Sequence, residues 1–375
     1  DIEKDSWFLP NVGLFGTWYR GTNSRAFGPG AEIVKGDANN YYISRGNWDN
    51  SFVRYNSLTG EISRLRDAPA GFYNGLEMAY DSVRNKLFVS GSTYYNRLFS
   101  YDIASDIWSE AVGISMPTDS GNGTALAFDG GDNLYRLRGD GTTNFDKYNI
   151  VSGVWSTLPA APGALGLGAD MVIKNDYAYV VRGNGTTAFY RYGPLSVGAT
   201  WSASALRTLP AGQTIGQDGF LVDIGGDKLM ACRGINTTTC FTYSISDNLW
   251  STMPAAPANI YQGGAGASNG AEEMFFIAGS GGTNTYTMGL YKYVIGSSAS
   301  SFEESGSWTS PAYDLGSIYR FSGIEVGYSG ANNASLQLFT RTSDDGLSWD
   351  DWIESDEVKT VGTTKTYLVE SETER

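Results

Sequence analysis

The chain has 375 residues, of which 41% are hydrophobic, 14% aromatic and 18% charged, with 48 glycines, two cysteines and no histidine. Low charge with many aromatics and glycines excludes a disordered chain and indicates an all-β protein rich in turns. The net charge of −14 excludes a general attraction to nucleic acid or to an anionic membrane, and no run approaches the roughly 18 apolar residues of a spanning helix.

The first predicted element is Asp5-Ser6-Trp7-Phe8-Leu9-Pro10, which is echoed later by Trp155-Ser156-Thr157-Leu158-Pro159. A stretch rich in Gly, Asn, Ser and Arg follows, near Gly16–Gly30. From Pro10 to Gly46 the chain runs 36 residues, against 22 to 25 at the corresponding places further on. Such an insertion is a tolerated surface loop or a partner contact.

From Gly46 a repeat sets in. Gly46, Gly91, Gly139, Gly183, Gly234 and Gly279 each close a short apolar stretch, at steps of 45, 48, 44, 51 and 45 residues. Tyr55, Tyr101, Tyr148, Tyr192 and Tyr243 follow nine or ten residues behind their glycines, and Tyr293 fourteen behind Gly279. Trp108, Trp155 and Trp250 stand seven residues beyond their tyrosines, Trp201 nine, and Ile62 takes that place in the first unit. Each of the first five units then reaches a proline: Pro69, Pro117, Pro159, Pro210 and Pro254.

A unit of this length holds four short strands. One such sheet cannot bury both of its faces, and radial stacking of several sheets solves that while leaving few exposed edges. The sixth unit lacks its own Trp and Pro, and the segment around Trp7 supplies them. The expectation is therefore a six-bladed β-propeller over residues 1–297, with an N-terminal strand closing the last blade.

Gly, Tyr and Trp at this spacing resemble the kelch repeat, although Arg-Gly, Ser-Gly or Ala-Gly stands where that family usually has Gly-Gly. Galactose-oxidase-type enzymes share the kelch propeller. Their copper site uses histidine, which this chain lacks.

Residues 298–375 follow a small polar linker. Trp308-Thr309-Ser310-Pro311, Asp314-Leu315-Gly316, Phe321–Tyr328 and Leu336–Thr342 carry strand-like character. With the Arg341–Trp349 segment, they resemble the β-sandwich modules appended to phage tail and surface proteins. The length is short for such a sandwich, so the module is expected to be incomplete at Arg375.

The absence of histidine removes Ser-His-Asp and Cys-His chemistry and imidazole-held metals. Glycoside hydrolysis by paired carboxylates stays open, but no spacing singles out a pair. Ser343-Asp344-Asp345-Gly346-Leu347-Ser348-Trp349 resembles the Asp-box turn of sialidases, one residue short, which is an architectural device. The acidic residues around it, Asp350, Asp351, Glu354, Asp356 and Glu357, lack the alternation of an EF-hand and read as a solvated face. Neither a metal nor a cofactor is expected.

Arg45, Arg138, Arg182 and Arg233 each precede a repeat glycine, so they lie on a ring. Two readings follow: a cationic collar that takes an anionic ligand or a neighbouring subunit, or local packing against nearby Tyr, Trp and Asp. Arg138-Gly139-Asp140 spells an integrin-binding tripeptide, but Arg182-Gly183-Asn184 at the same place in the next unit marks both as hairpin turns. Cys232 and Cys240 flank Gly234 on two arms of one hairpin, as a cross-strand disulfide or, preferred here, as two reduced buried thiols. Asn122, Asn184, Asn236 and Asn333 sit in glycosylation sequons that matter only in a glycosylating host.

Together these features lead to the expectation of a non-enzymatic structural or attachment component of an extracellular assembly, a phage tail, nozzle or fibre protein. Its partners would be other subunits of the particle, in which it is oligomeric, and host-surface glycans, without nucleic acid or membrane insertion. The alternatives are a secreted lectin-like carbohydrate-binding protein and, further off, a carboxylate-dependent glycoside hydrolase.

Overall fold

Alternation along each strand sends neighbouring side chains to opposite faces of its sheet. In the second strand of each unit both faces are apolar, as in Lys86-Leu87-Phe88-Val89-Ser90 and Glu273-Met274-Phe275-Phe276-Ile277, so both faces need a partner sheet. A computed structural model shows how they find one. It describes residues 6–8, 27–91, 96–110, 115–202, 206–271, 273–279 and 290–295, together with five strands nearer the C-terminus. The chain divides into two compact units, Asp1–Trp308 and Thr309–Arg375.

The first unit is a six-bladed propeller in which every blade is a four-stranded antiparallel sheet. Blade 1 spans 32–64, blade 2 77–110, blade 3 125–157, blade 4 170–201 and blade 5 220–252. Blade 6 takes three strands from 265–294 and its outer strand from Ser6–Phe8. Trp7 lies opposite Tyr293 in that closure, as Trp155 lies opposite Tyr148 in blade 3. The first strand of each blade packs on the first strand of the next, all the way round.

The core is split accordingly. Buried apolar residues form six clusters among the described residues, each at one blade junction. Tyr41 and Ile43 of blade 1 pack with Phe275 and Ile277 of blade 6, while Tyr42 and Phe52 pack with Leu87 and Val89 of blade 2.

The repeated Tyr and Trp have a mechanical role. Tyr101–Trp108, Tyr148–Trp155, Tyr192–Trp201 and Tyr243–Trp250 are cross-strand pairs with ring centroids 5.0 Å apart. Such a pair contributes about 0.5–1.5 kcal/mol beyond its buried area. In three of the four the indole N–H then reaches the connection leaving the preceding blade: Trp108 donates to the Arg66 carbonyl at 2.9 Å, Trp201 to Pro159 at 2.8 Å and Trp250 to Arg207 at 3.0 Å. One side chain thus holds the outer strand onto its own sheet and ties that sheet to its neighbour.

Cys232 and Cys240 are directly opposed in blade 5 and form a disulfide, which corrects the expectation of free thiols. Register decides it: the two residues face each other across adjacent strands, on the same side of the sheet.

In the second unit the described strands are Ile324–Gly327, Leu338–Thr340, Ile353–Ser355, Glu357–Val361 and Thr364–Tyr367. They pair as one three-stranded and one two-stranded antiparallel sheet. The Trp308–Gly316 segment and the Asp-box-like turn lie outside the described residues, as does the Gly16–Gly30 insertion apart from its last four residues.

Candidate binding site

Two sets of loops share one face of the propeller. The turn between a blade's second and third strands meets the connection that leads into the next blade. Gly141 N donates to Leu165 O and Leu165 N to Thr142 O, both at 2.7 Å, and Thr186 with Ile215 and Thr237 with Ile260 repeat the bridge. Thr142, Thr186 and Thr237 also cap their own turns, each hydroxyl donating to a glycine carbonyl at 2.8 to 2.9 Å.

The four arginines of the expected ring occupy equivalent positions on this face. Arg45 pairs with Asp49 at 2.9 Å. The other three donate Nε to a carbonyl in the incoming connection: Arg138 to Asp119 at 3.3 Å, Arg182 to Ala164 at 2.8 Å and Arg233 to Thr214 at 2.9 Å. Arg233 reaches Gln213 as well, at 3.0 Å. Blade 2 shows why the ring skips it. Gly91 N donates to Arg97 O six residues on, as Arg138, Arg182 and Arg233 N donate to Asn144, Ala188 and Thr239 O. Gly91 therefore stands in the arginine's place rather than the glycine's. Asp140 and Asn184 take positive φ of 57° and 55°, so both belong to turns, as their shared position suggests.

The connection entering each blade carries a second repeated position, two residues before the inner strand. Gly30, Gly75, Gly123, Gly168 and Gly263 hold it in five blades, with φ between 76° and 87°. A Cβ on any of these would overlap the carbonyl oxygen of the next connection, at Tyr73, Gly121, Gly166, Gly216 and Gly28 respectively. Blade 5 alone has a side chain there. Asp218 adopts φ 60°, the left-handed region where L-residues are strained. Its Oδ1 accepts the Gly263 amide of blade 6 at 3.0 Å.

Beside this aspartate lies an open pocket of about 350 Å³, between blades 5 and 6. Asp218, Gln217, Gln262, Asn236 and Tyr261 bring its polar groups, and Ile235 and Ile260 its apolar wall. Ile260 is fully buried, whereas Ile235 is 41% exposed and held at φ 48°. Asn236 is oriented by Asn259, whose amide donates to its Oδ1 at 2.9 Å. Burial lifts the Asp218 carboxyl to about 7, with the Gly263 amide pulling the other way.

The chain is similar to YjhT. The solved structure titled "Structure of YjhT" matches with a TM-score of 0.57, covering 72% of this chain and 95% of that one at 13% sequence identity. At that identity the likeness concerns the fold alone. No family model matches the chain, and no curated protein matches it. The likeness to YjhT leaves the chemistry of the loop face to be read from its own residues.

A second acidic feature stands on the inner strands. Glu32, Glu77 and Asp170 are the first residues of the inner strands of blades 1, 2 and 4. Burial raises all three carboxyls, Asp170 to about 7, and Asp170 adds repulsion to both glutamates. Asp170 accepts Met171 N and, from blade 5, Leu221 N, both at 2.6 Å. Among the described residues, no three acidic or cysteine side chains converge to hold a metal ion.

Sequence reasoning missed Asp218. The signal was there: aligned on their inner strands, the blades read Gly-Ala-Glu, Gly-Leu-Glu, Gly-Thr-Ala, Gly-Ala-Asp, Asp-Gly-Phe and Gly-Gly-Ala. Only the fifth breaks the glycine column.

Proposed function

We propose that this chain is a non-enzymatic attachment component of an extracellular assembly, a phage tail, nozzle or fibre part that docks through the loop-bearing face of its propeller. The observation that carries the reading is the open pocket between blades 5 and 6. It gathers one carboxyl, three amides and a tyrosine on a rigid face. Those groups bind a glycan or a protein loop well. Glycoside hydrolysis asks for a second carboxyl at about 5–10 Å, and among the described residues the pocket lining brings Asp218 alone.

The kelch-like blades and the sandwich-like residues 298–375, which resemble modules of phage tail proteins, support the virion setting. The Cys232–Cys240 disulfide suits an oxidising compartment. Arg138, Arg182 and Arg233 offer cationic groups on the same face for carboxylates or phosphates of a neighbouring subunit, whereas Arg45 is buried in its pair with Asp49. A second reading, a secreted lectin-like protein acting alone, is favoured by a pocket whose described lining comes from two adjacent blades of one chain.

Gradient sedimentation of source material, with peptide mass spectrometry of each fraction, separates the two. Co-migration with particles at fixed stoichiometry to a capsid or filament protein is expected. Recovery only as a free species near the chain mass of 40.5 kDa would reject the assembly role.

A further inference from the structure

The geometry points to a saccharide site built around Asp218: we propose that the gap between blades 5 and 6 takes one neutral pyranose ring, with adjacent hydroxyls donating to the Asp218 carboxyl and bonding the amides of Gln217 and Gln262. The inference rests on the docking reading of this face and assigns its ligand.

The gap follows from the substitution itself. At the other five junctions a glycine lets the connection of the next blade close directly onto the backbone, and a Cβ there would collide with a carbonyl oxygen. At the sixth junction Asp218 has its Cβ and lines the pocket together with Tyr261, which holds the sequence position of Tyr73, Gly121, Gly166, Gly216 and Gly28. The strand connection of blade 6 must stand off to admit it, and the pocket is the space so made. An aspartate tolerates the left-handed conformation better than most residues, and what sets this junction apart is a carboxyl where the other five have glycine.

The donor and acceptor inventory fits a sugar. Oδ1 of Asp218 is occupied by the Gly263 amide, and among the described residues Oδ2 has no hydrogen-bond partner, so one carboxyl oxygen remains for a hydroxyl. Gln217 and Gln262 each offer both a donor and an acceptor, which matches hydroxyls that do both. Ile235, exposed at the pocket wall, offers an apolar surface for the C–H face of a ring. A volume of about 350 Å³ is at the lower end of small-ligand pockets, roughly 300–1,000 Å³. The carboxyl and the net charge of −14 disfavour acidic sugars and select a neutral one.

The test uses the full chain and saturation-transfer NMR with the methyl glycosides of glucose, galactose, mannose and N-acetylglucosamine, followed by titration of whichever gives the strongest transfer. At least one of the four is expected to bind. Asp218→Gly should weaken it tenfold or more while leaving the melting temperature unchanged or higher, because glycine restores the fit of the other five junctions. Gln262→Ala should weaken it severalfold, and Leu58→Ala, at an exposed residue of blade 1, should not change it. Binding untouched by Asp218→Gly would place the sugar elsewhere and reject the site while sparing glycan docking. A large drop in melting temperature in Asp218→Gly would make the aspartate a structural residue. No transfer to any of the four glycosides would reject the saccharide assignment, and the sedimentation experiment would then decide the attachment role independently.

Discussion

Blade 3 carries a buried ion pair where the other blades carry hydrocarbon. Arg136 and Asp146 face each other across adjacent strands, at positions held elsewhere by Ile43 and Val53, Val89 and Phe99, Val180 and Tyr190, Ala231 and Phe241, and Phe276 and Tyr291. Arg136 is 0% exposed, and its Nη2 lies 2.7 Å from Asp146. It also donates to Thr118 O at 2.8 Å and lies over the Trp155 ring at 5.1 Å, so it anchors the connection entering its own blade. Burial pulls the guanidinium below its usual value, and Asp146 opposes that shift. Removing one partner strands the other charge. Asp146→Val alone should therefore destabilise the propeller by about 3–5 kcal/mol. Adding Arg136→Ile, which restores the apolar pair of blade 1, should recover most of the loss. Denaturant titration of both variants checks this, and a double variant no better than the single would show that the Thr118 contact, not the charge pair, dominates.

One element, the second-to-third-strand hairpin of blade 5, carries both the disulfide and the turn that borders the pocket. Cys232 and Cys240 are eight residues apart, so their bond closes a short loop. By the chain-entropy model such a closure is worth about 2–3 kcal/mol. Replacing both cysteines with alanine should lower stability by that order, and intact mass before and after reduction should register one bond. Equal stability with and without reductant would remove the disulfide from the energetics of the blade. The hairpin also shows what a sequence can and cannot reveal. The Gly, Tyr and Trp spacing exposed the blade count and the closure by Trp7, because each of those residues answers a demand repeated at every junction. The bond between Cys232 and Cys240 required exact register, which a spacing of eight residues does not fix. Gly91 misled the alignment by one position for the same reason, since the repeat was anchored on a turn glycine and blade 2 shifts its turn. Asp218 stayed hidden because its column belongs to the inner strands, short stretches flanked by glycines with no aromatic landmark to align them.

Within the propeller, Glu32, Glu77 and Asp170 open three of the inner strands with carboxyls raised by burial, and that has a consequence for pH. With no histidine in the chain, ordinary side chains titrate little between pH 5 and 8. The groups that do titrate there include Asp170 and Asp218, both lifted to about 7 by burial. Glu32 and Glu77 are also raised, by burial and by repulsion across the ring. A carboxyl whose folded pKa lies above its unfolded one favours the fold while protonated. Its contribution is full below the unfolded value, near 4, and is lost as pH rises through the folded value. Asp102 and Asp227 have lowered values held by serine hydrogen bonds, so their contribution fades only on further acidification. The melting temperature should therefore fall as pH rises from 5 to 8, against the usual expectation for a chain whose carboxylates are paired. Glu77→Gln keeps the shape of the side chain and removes the carboxyl that Glu32 and Asp170 repel. It should raise the melting temperature at pH 8, change it little at pH 5 and flatten the slope between. Scanning calorimetry of both proteins across that range decides it: parallel curves would mean that Glu77 is solvated as an ordinary surface carboxylate and that the inner strands of the ring hold no strained charge.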